Sequence, residues 1–267
     1  MFYALKLVVV AMITVPAALL TILGGLFDPH GKHIYGVSRL WSWSILKISG
    51  ISLRITGLTH IDPKQRYIFM VNHQSNIDIP VLIQALRPFQ LRWLAKKELL
   101  WVPLFGWALW AAKHITVKRT DRSDALQSLK KAKQRIASGI SLVFFPEGTR
   151  SPDGRLLPFK RGGFWLALQT QTPVVPITIR GSGTVLSKGD WRIRRGEIHI
   201  TVGEPLLADD YRSGKLLALS NQVRSIIAKQ LDATASFLQP ARPDNTPNLA
   251  ENSSMKKANE ARQKWNH

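Results

Sequence analysis

The sequence predicts an α/β fold, a mixed and partly parallel sheet flanked by helices and preceded by an amino-terminal membrane-embedded helical element. From about residue 52, apolar runs of strand length alternate with stretches of helical periodicity, which is the pattern of an α/β sheet. A long apolar segment precedes this region, and a polar, proline-punctuated segment follows it. We therefore divide the chain into membrane and interfacial helices at 1–50, an α/β domain at 51–239 and a polar tail, expected to be disordered, at 240–267.

Composition limits the classes of partner. Lys and Arg number 37 against 17 Asp and Glu, a formal net charge of +20, which predicts an anionic partner: anionic lipid, a phosphorylated metabolite or nucleic acid. The absence of cysteine excludes disulfides, thiolate metal sites and cysteine nucleophiles. The histidines form no spaced ligand set with carboxylates, and no aromatic and basic RNA-binding signature is present. We therefore expect no metal, no cofactor and no nucleic acid.

The first membrane element is the apolar run from Leu7 to Phe27. It carries no charge after Lys6, and its 21 residues are long enough to cross a bilayer as a helix. Pro16 and the glycine pair at 24–25 interrupt the run, so a bent or re-entrant element is also open. A cleaved signal peptide would need a small-x-small site after the run, and none is evident. We predict an uncleaved membrane element.

A second helix is predicted over YGVSRLWSWSILKISG. Its apolar residues Leu40, Trp41, Ile45 and Ile48 recur at helical spacing among serine and basic residues. Tryptophan with basic residues suits the headgroup region of a bilayer, whereas a core helix with snorkelling Lys and Arg gives the same pattern. Both interpretations stay open from sequence.

The α/β region contains seven predicted strands and several helices. Helices are predicted at IPVLIQAL, at DALQSLKKAKQRIASG with Ser123 as N-cap and Gly139 at its end, and at KLLALSNQVRSIIAKQL. In such sheets the functional residues gather at strand ends. The strands are predicted at LRITGL, YIFMVNH, LRWLAK, HITVKR, SLVFFPEG, PVVPITIRG and EIHITVGEP.

A histidine and an aspartate stand at the exit of the second strand, in VNHQSNIDIP. His73 ends the strand, and Asp78 comes five residues later, near the start of the next helix. A turn between them allows the carboxylate to fold back toward the imidazole. A carboxylate on one ring nitrogen leaves the other free to accept a proton, which makes a general base. The plainer interpretation is that Asp78 supports the helix and His73 is an ordinary strand-end residue.

Further charges follow other strands. Glu147 and Arg150 follow a buried strand in FPEGTR, and arginine suits bidentate binding of phosphate. Lys160 and Arg161 precede two glycines and an apolar helix, so cations and backbone amides could converge on an anion there. Ordinary solvated turns are the alternative in each case. Two more predicted strands end in basic residues: HITVKR in Lys118 and Arg119, and PVVPITIRG in Arg180.

The blocks NHQSNID, FPEGTR and VVPITI, in this order, resemble the motifs of the 1-acylglycerol-3-phosphate acyltransferase family of phospholipid synthesis, over roughly residues 35 to 205. The resemblance implies an amino-terminal membrane-embedded helical element followed by an α/β domain. The family usually has phenylalanine, isoleucine, any residue and arginine in its middle block, where this chain has TVKR. The resemblance implies a general base at His73 with Asp78 as its partner, and substrate-binding roles for Arg119, Glu147, Gly148, Thr149, Arg150 and Lys160.

The resemblance also implies the reaction: transfer of a fatty acyl group from a coenzyme A or acyl carrier protein thioester to the sn-2 hydroxyl of lysophosphatidate, giving phosphatidate. It implies membrane lipid as a partner and a bacterial inner membrane with the catalytic domain on its cytoplasmic face. Glycerol 3-phosphate or lyso-ornithine lipid as acceptor, and a basic lipid-binding protein without activity, are the alternatives. A hydrolase would need an activated serine, and neither Ser75 nor Ser182 lies in a nucleophile elbow.

Overall fold

The computed structural model describes residues 2–118, 121–211 and 215–237. Met1–Leu231 forms one compact unit, and Asp232–His267 forms a second, of which the structure describes the last turns of a helix. The predicted tail at 240–267 therefore lies outside the described residues. The helices are α1 (Phe2–Phe27), α2 (Tyr35–Ser49), α3 (Asp78–Ala85), α4 (Phe105–Ala111), α5 (Arg122–Ala137), α6 (Gly162–Thr170), α7 (Ser182–Val185) and α8 (Leu216–Phe237).

The predicted α/β class is confirmed, and each predicted strand is present. The order across the sheet is β1-β7-β6-β2-β5-β3-β4. Neighbours pair in parallel except β6 and β7, which are antiparallel. The strands are β1 (Ile51–Thr56), β2 (Ile68–Val71), β3 (Leu91–Lys96), β4 (Ile115–Val117), β5 (Ser141–Phe144), β6 (Val174–Arg180) and β7 (Gly196–Val202).

Strand direction decides which loops meet. Strands β2 to β6 all end at one edge of the sheet, which we call the carboxyl edge. Because β7 runs antiparallel to β6, and β1 runs parallel to β7, both β1 and β7 begin at this edge. Loops from most of the sheet can therefore contribute to one site.

Both faces of the sheet are covered. In β2, Phe69 and Val71 pack into one cluster with α2 and α3, while Ile68 and Met70 pack into a second cluster with α5, α6 and α8. This alternation places every side chain of the strand in a core. It explains why the strand reads as a continuous apolar run rather than an alternating one.

Helix α1 runs through Pro16 and the glycine pair without a break. Its span Tyr3–Phe27 has a mean hydropathy of 2.5 and is mostly exposed, so by length and composition it could cross a membrane. Lys6 Nζ donates to the carbonyls of Ser49 and Ile193, at 3.2 and 3.3 Å. At the other end a Cβ on Gly25 would lie 2.8 Å from Ala111 Cβ, so the glycine permits close packing on α4. Both ends of α1 therefore contact the same folded unit.

The sequence left open whether α2 is a core helix or an interfacial helix, and its structure has features of both. Ile45 and Leu46 are buried in the core, whereas Leu40 and Trp43 are exposed. Trp41 joins the helices, because its indole N–H donates to Thr14 Oγ1 at 3.0 Å. One face of α2 is thus core, and the other is free for an interface.

The predicted N-cap of α5 is wrong. Asp121, not Ser123, caps the helix, and its carboxylate accepts the backbone amides of Ser123 and Asp124 at 2.9 and 3.1 Å. Both residue types favour N-caps, so local preference alone did not separate them. The helix consequently begins at Arg122.

A buried arginine fastens the α1–α2 turn to the sheet. Arg92 on β3 is 1% exposed and donates to the carbonyls of His30, Gly31 and Leu91 at 2.8–3.1 Å. Its guanidinium also lies 5.5 Å from the ring centroid of Tyr35. Burial lowers the pKa of Arg92 to about 10, so the side chain remains a cation at neutral pH. Its charge is held by carbonyl dipoles and an aromatic face.

We expect Arg92→Met to lower the free energy of unfolding by about 2–4 kcal/mol, because the carbonyls of the turn lose a charged donor while the apolar stem is kept. Denaturant unfolding of the purified protein in detergent measures the change. Arg66→Met is the matched control, since Arg66 is exposed and should shift stability by less than about 0.5 kcal/mol. Equal effects of the two substitutions would contradict the anchoring role.

Candidate active site

An imidazole–carboxylate pair lies at the exit of β2. His73 Nδ1 and Asp78 Oδ2 are 2.7 Å apart. The same oxygen accepts the backbone amides of Gln74 and Ser75, each at 2.9 Å. Asp78 is fully buried as the first residue of α3, and the turn before it folds the carboxylate back onto the ring. The structure thus brings together the two residues that the sequence singled out.

This hydrogen bond selects the ring tautomer. A carboxylate accepts, so Nδ1 carries the proton and Nε2 keeps a lone pair. The ring stacks on Phe145 with centroids 3.9 Å apart and planes 14° from parallel, and 17% of the side chain is exposed. The imidazole is therefore held in one orientation while remaining open to a substrate.

Two polar residues to which the sequence analysis gave no positioning role hold the His73 loop in place. Asn72 donates to the Ile179 carbonyl at 2.8 Å and accepts its amide at 2.7 Å, which joins the exits of β2 and β6. Ser75 Oγ donates to the Leu186 carbonyl at 2.6 Å and accepts the Ile77 amide at 3.2 Å. An asparagine ending an apolar strand was the available signal, since this residue type is depleted in strands. Ser75 is occupied as a structural hydroxyl.

Glu147 connects the β2 and β5 exits through the backbone. Its Oε1 accepts the amide of His73 at 2.7 Å, and its Oε2 accepts the amide of Leu157 at 2.9 Å. Only 4% of the residue is exposed. Burial raises the pKa of Glu147 above its ordinary value, and the two amides oppose that shift. Both oxygens already have partners within the protein, and a substrate contact for this residue stays a prediction.

Gly148 and Lys160 lie against each other. Gly148 has φ of +73°, and a Cβ there would lie 2.7 Å from Lys160 Cε. Glycine is required on both counts, because other residues are strained at this φ and would displace the lysine. The Lys160 amide also donates to the Pro146 carbonyl at 2.7 Å. The FPEGTR turn and Lys160 therefore form one local structure.

The remaining residues of this turn face outward. Thr149 is exposed and Arg150 is partly exposed. Lys188 Nζ donates to the Arg150 carbonyl at 3.0 Å, which brings a further cation that sequence reasoning did not select. Because Lys188 lies in a loop after α7, only the tertiary structure places it here. The turn thus presents basic groups from three segments, Arg150, Lys160 and Lys188.

The start of α6 lies over the ends of β2 and β5. A Cβ on Gly163 would lie 2.7 Å from Met70 Cε and 2.8 Å from Phe144 Cδ1, so only glycine permits this approach. The amide-bearing end of the helix follows Lys160 and Arg161 directly. Free amides and cations together favour an anion at this position.

Arg119 lies outside the described residues, and its predicted phosphate contact stays a prediction. Its strand, β4, is three positions from β2 in the sheet, which separates the strand axes by about 14 Å. The exit of β4 is held by Asp124, whose Oδ2 accepts the Lys118 amide at 2.7 Å and whose Oδ1 pairs with Lys97. In the described ranges, no group of three or more His, Cys, Asp or Glu side chains is placed to hold a metal ion.

Comparisons with known proteins identify the family of the chain. A family model described as Acyltransferase matches residues 52–180. The 1-acyl-sn-glycerol-3-phosphate acyltransferase of Limnanthes douglasii is 36% identical over 214 residues, which cover 80% of this chain and 73% of the relative. The alpha form from Bos taurus is 32% identical over 198 residues, 73% of this chain and 69% of the relative.

A solved structure has the same fold. The crystal structure of the 1-acyl-sn-glycerophosphate acyltransferase from Thermotoga maritima matches with a TM-score of 0.70 at 22% identity, over 88% of this chain and 98% of that one. At that identity the match supports the fold, while the relatives above 30% identity support the family. The chain belongs to the 1-acyl-sn-glycerol-3-phosphate acyltransferase family.

Proposed function

We propose that this protein transfers a fatty acyl group from an acyl thioester to the sn-2 hydroxyl of 1-acylglycerol 3-phosphate, giving phosphatidate. Relatives at 36% and 32% identity are named for this activity. The observation that carries the proposal is the 2.7 Å bond between His73 Nδ1 and the buried Asp78, which leaves Nε2 as a base.

In the proposed reaction, His73 Nε2 takes the proton of the acceptor hydroxyl as its oxygen attacks the thioester carbonyl carbon. A tetrahedral intermediate forms, and Asp78 stabilises the imidazolium. The carbon–sulfur bond then breaks, and the imidazolium returns its proton to the thiolate that leaves. Acyl group and proton both balance without a covalent enzyme intermediate. This agrees with the structural use of Ser75, which a serine hydrolase would have to keep free.

The oxyanion needs donors from the same edge of the sheet. In the 74–78 turn, the amides of Gln74, Ser75 and Ile77 donate within the turn. The Gly148 amide donates to the Phe145 carbonyl at 3.0 Å. We therefore assign the tetrahedral oxygen to other donors near these turns, such as the amide of the exposed Thr149.

The acceptor phosphate is proposed to bind on the basic side of the FPEGTR turn. Arg150 offers a planar guanidinium, Lys160 packs beside Gly148, and the start of α6 adds backbone amides. Lys188, held at the Arg150 carbonyl, adds a fourth positive element. Arg119 completes the set as predicted from the family motif.

We assign Glu147 a positioning role rather than a phosphate contact. A carboxylate would repel phosphate, and both of its oxygens accept backbone amides. One of these amides belongs to His73 itself, so Glu147 sets the position of the base relative to the backbone at Leu157. Its effect on catalysis is therefore exerted through His73.

We propose a membrane orientation from the contacts of α1. Its Lys6 end contacts Ile193, near the start of β7 at the carboxyl edge, and its Gly25 end contacts α4. A helix bound to one folded unit at both ends lies along that unit, so we propose that it enters a single leaflet. The thioester carrier, coenzyme A or acyl carrier protein, is charged and does not cross a bilayer. We accordingly place the domain on the cytoplasmic face of a bacterial inner membrane, to which its +20 charge would attract it.

We expect the purified protein in detergent to acylate lysophosphatidate, and His73→Ala to do so at least about 100-fold more slowly, because the base is lost. Parallel assays with glycerol 3-phosphate and lyso-ornithine lipid identify the acceptor, and product formation is followed by mass spectrometry. His30→Ala, an exposed histidine in the α1–α2 turn, is the control and should keep full activity. Lysophosphatidate binding without turnover by the unmodified protein would favour the non-enzymatic alternative. Equal rates for both histidine variants would remove His73 as the base.

Arg150→Ala should raise KM for lysophosphatidate by about tenfold or more, while leaving use of an acceptor without phosphate nearly unchanged. The lost guanidinium–phosphate bond is the reason, and steady-state kinetics with both acceptors measure it. Arg155→Ala is the matched control, since Arg155 lies in the same loop with a side chain 89% exposed. Identical kinetics for the two variants would place the phosphate elsewhere.

Glu147→Gln should lower kcat by about tenfold or more with little change in KM for the acceptor. The glutamine side chain has one acceptor oxygen, so its NH2 group would face one of the two backbone amides that Glu147 binds. Thermal unfolding, measured alongside, separates loss of catalysis from loss of fold. A raised KM with unchanged kcat would instead indicate that Glu147 contacts the acceptor.

A further inference from the structure

A cluster of exposed aromatic side chains lies between β3 and β4. The connection forms a short 3-10 helix at Lys97–Trp101 and then α4, and we call residues 97–112 the tryptophan hairpin. Trp101 is 86% exposed, Trp107 57% and Trp110 61%. Contiguous exposed apolar surface of this kind marks an interaction site.

The hairpin is a defined structure, because its two helices pack closely at Gly106. A Cβ on Gly106 would lie 2.3 Å from the Leu100 carbonyl oxygen, and the Gly106 amide donates to the Val102 carbonyl at 2.8 Å. Leu104 adopts φ of +62°, which is uncommon for a leucine and reverses the chain direction. Its aromatic residues are therefore displayed by a folded element.

This surface is continuous with the exposed apolar face of α1. The two helices touch where Gly25 meets Ala111. Next to this contact, Leu26 of α1 is 66% exposed and Phe27 is 87% exposed. An occupant that covers the end of α1 would therefore meet the tryptophan hairpin as well.

The charges around the hairpin favour a lipid surface as this occupant. No charged residue occurs from Leu99 to Ala112. Lysines stand on either side, at 96, 97 and 113, together with Glu98, and Lys97 pairs with Asp124. Lys113 Nζ lies 4.9 Å from the ring centroid of Trp110. Amphipathic tryptophan rings next to lysines match the headgroup region of an anionic bilayer, with apolar rings below and cations at phosphate depth.

We propose that the tryptophan hairpin is a second membrane-binding surface, which enters the same lipid leaflet as α1 and is independent of it in sequence. Its 3-10 helix begins directly where β3 ends, at the carboxyl edge of the sheet. Two separate contacts fix the tilt of the sheet on the bilayer, whereas α1 alone would leave a rotation about its own axis. Insertion of both elements would therefore hold the sheet in one orientation on the bilayer. The proposal concerns lipid binding and does not depend on acyl transfer.

Site-directed spin labelling tests this directly, because the chain contains no cysteine. Nitroxides are attached to full-length Trp107→Cys, Met12→Cys and Leu207→Cys, each reconstituted in vesicles of phosphatidylcholine and phosphatidylglycerol. Met12 on α1 is 68% exposed and gives the lipid reference, while Leu207 is 53% exposed near the start of β6, at the opposite edge of the sheet. Accessibility to oxygen and to a polar nickel complex reports depth.

We expect the label at 107 to resemble the label at 12, with oxygen favoured over nickel. A label at 107 that behaves like the one at 207 would overturn the proposal. Dipolar broadening between copies at 107 that persists at low protein-to-lipid ratio would also overturn it, since the occupant would then be a second copy of the chain.

A second measurement uses vesicle sedimentation. Replacing Trp101, Trp107 and Trp110 by serine should lower partitioning into the same vesicles by at least about tenfold, because three indole rings leave the interface. Leu207→Ser combined with Leu217→Ser is the matched control for loss of exposed apolar surface. Equal partitioning of both variants would contradict a membrane role for the hairpin. The single-label experiment stays decisive if the triple variant does not fold.

Discussion

The arrangement of the site depends on one oxygen atom, Oδ2 of Asp78. It accepts three hydrogen bonds of 2.7–2.9 Å, from the His73 ring and from the amides of Gln74 and Ser75. The turn between the two residues and the tautomer of the ring are fixed by the same atom. Its partner oxygen Oδ1 is buried without a hydrogen-bond partner among the described residues, so the carboxylate is incompletely compensated in the resting protein. In the proposed reaction, a proton taken up by His73 would place a positive charge directly beside this carboxylate.

Much of this arrangement could be read from sequence, and the exceptions have physical causes. The strands were predictable because both faces of the sheet are buried, which leaves uninterrupted apolar runs. The His73 and Asp78 pairing followed from local chemistry within a few residues. The role of Glu147 did not, since its partners lie 74 and 10 residues away and are backbone amides that no motif displays. Helix α4 was missed because Pro103 and Gly106 weaken the helical pattern, and tertiary contacts with α1 override it.

The antiparallel pairing of β6 with β7 links the membrane helices to the site. In a fully parallel sheet, β1 and β7 would begin at the edge opposite His73. The reversal instead brings the end of α2 and residue Ile193 to the carboxyl edge, where both accept the ammonium of Lys6. A single charged residue at the start of an apolar helix thereby sets where that helix meets the domain. Arg92 makes the corresponding attachment at the far end of α1, through the carbonyls of His30 and Gly31.

The buried carboxylate of Glu147 carries a desolvation cost, but its hydrogen bonds fix the positions of two loops. Its carboxylate is nearly inaccessible, and its raised pKa reflects burial that two backbone amides offset only in part. A well-packed apolar side chain would avoid this desolvation cost, as replacements of buried charged groups often do. Such a residue could not accept the amides of His73 and Leu157 simultaneously, and two backbone donors would be left unpaired. The carboxylate therefore holds the backbone at His73 and the backbone at Leu157 at a fixed spacing. In the proposed mechanism, the unfavourable burial of Glu147 helps to orient the imidazole of His73, and proton transfer requires a base held in a fixed orientation.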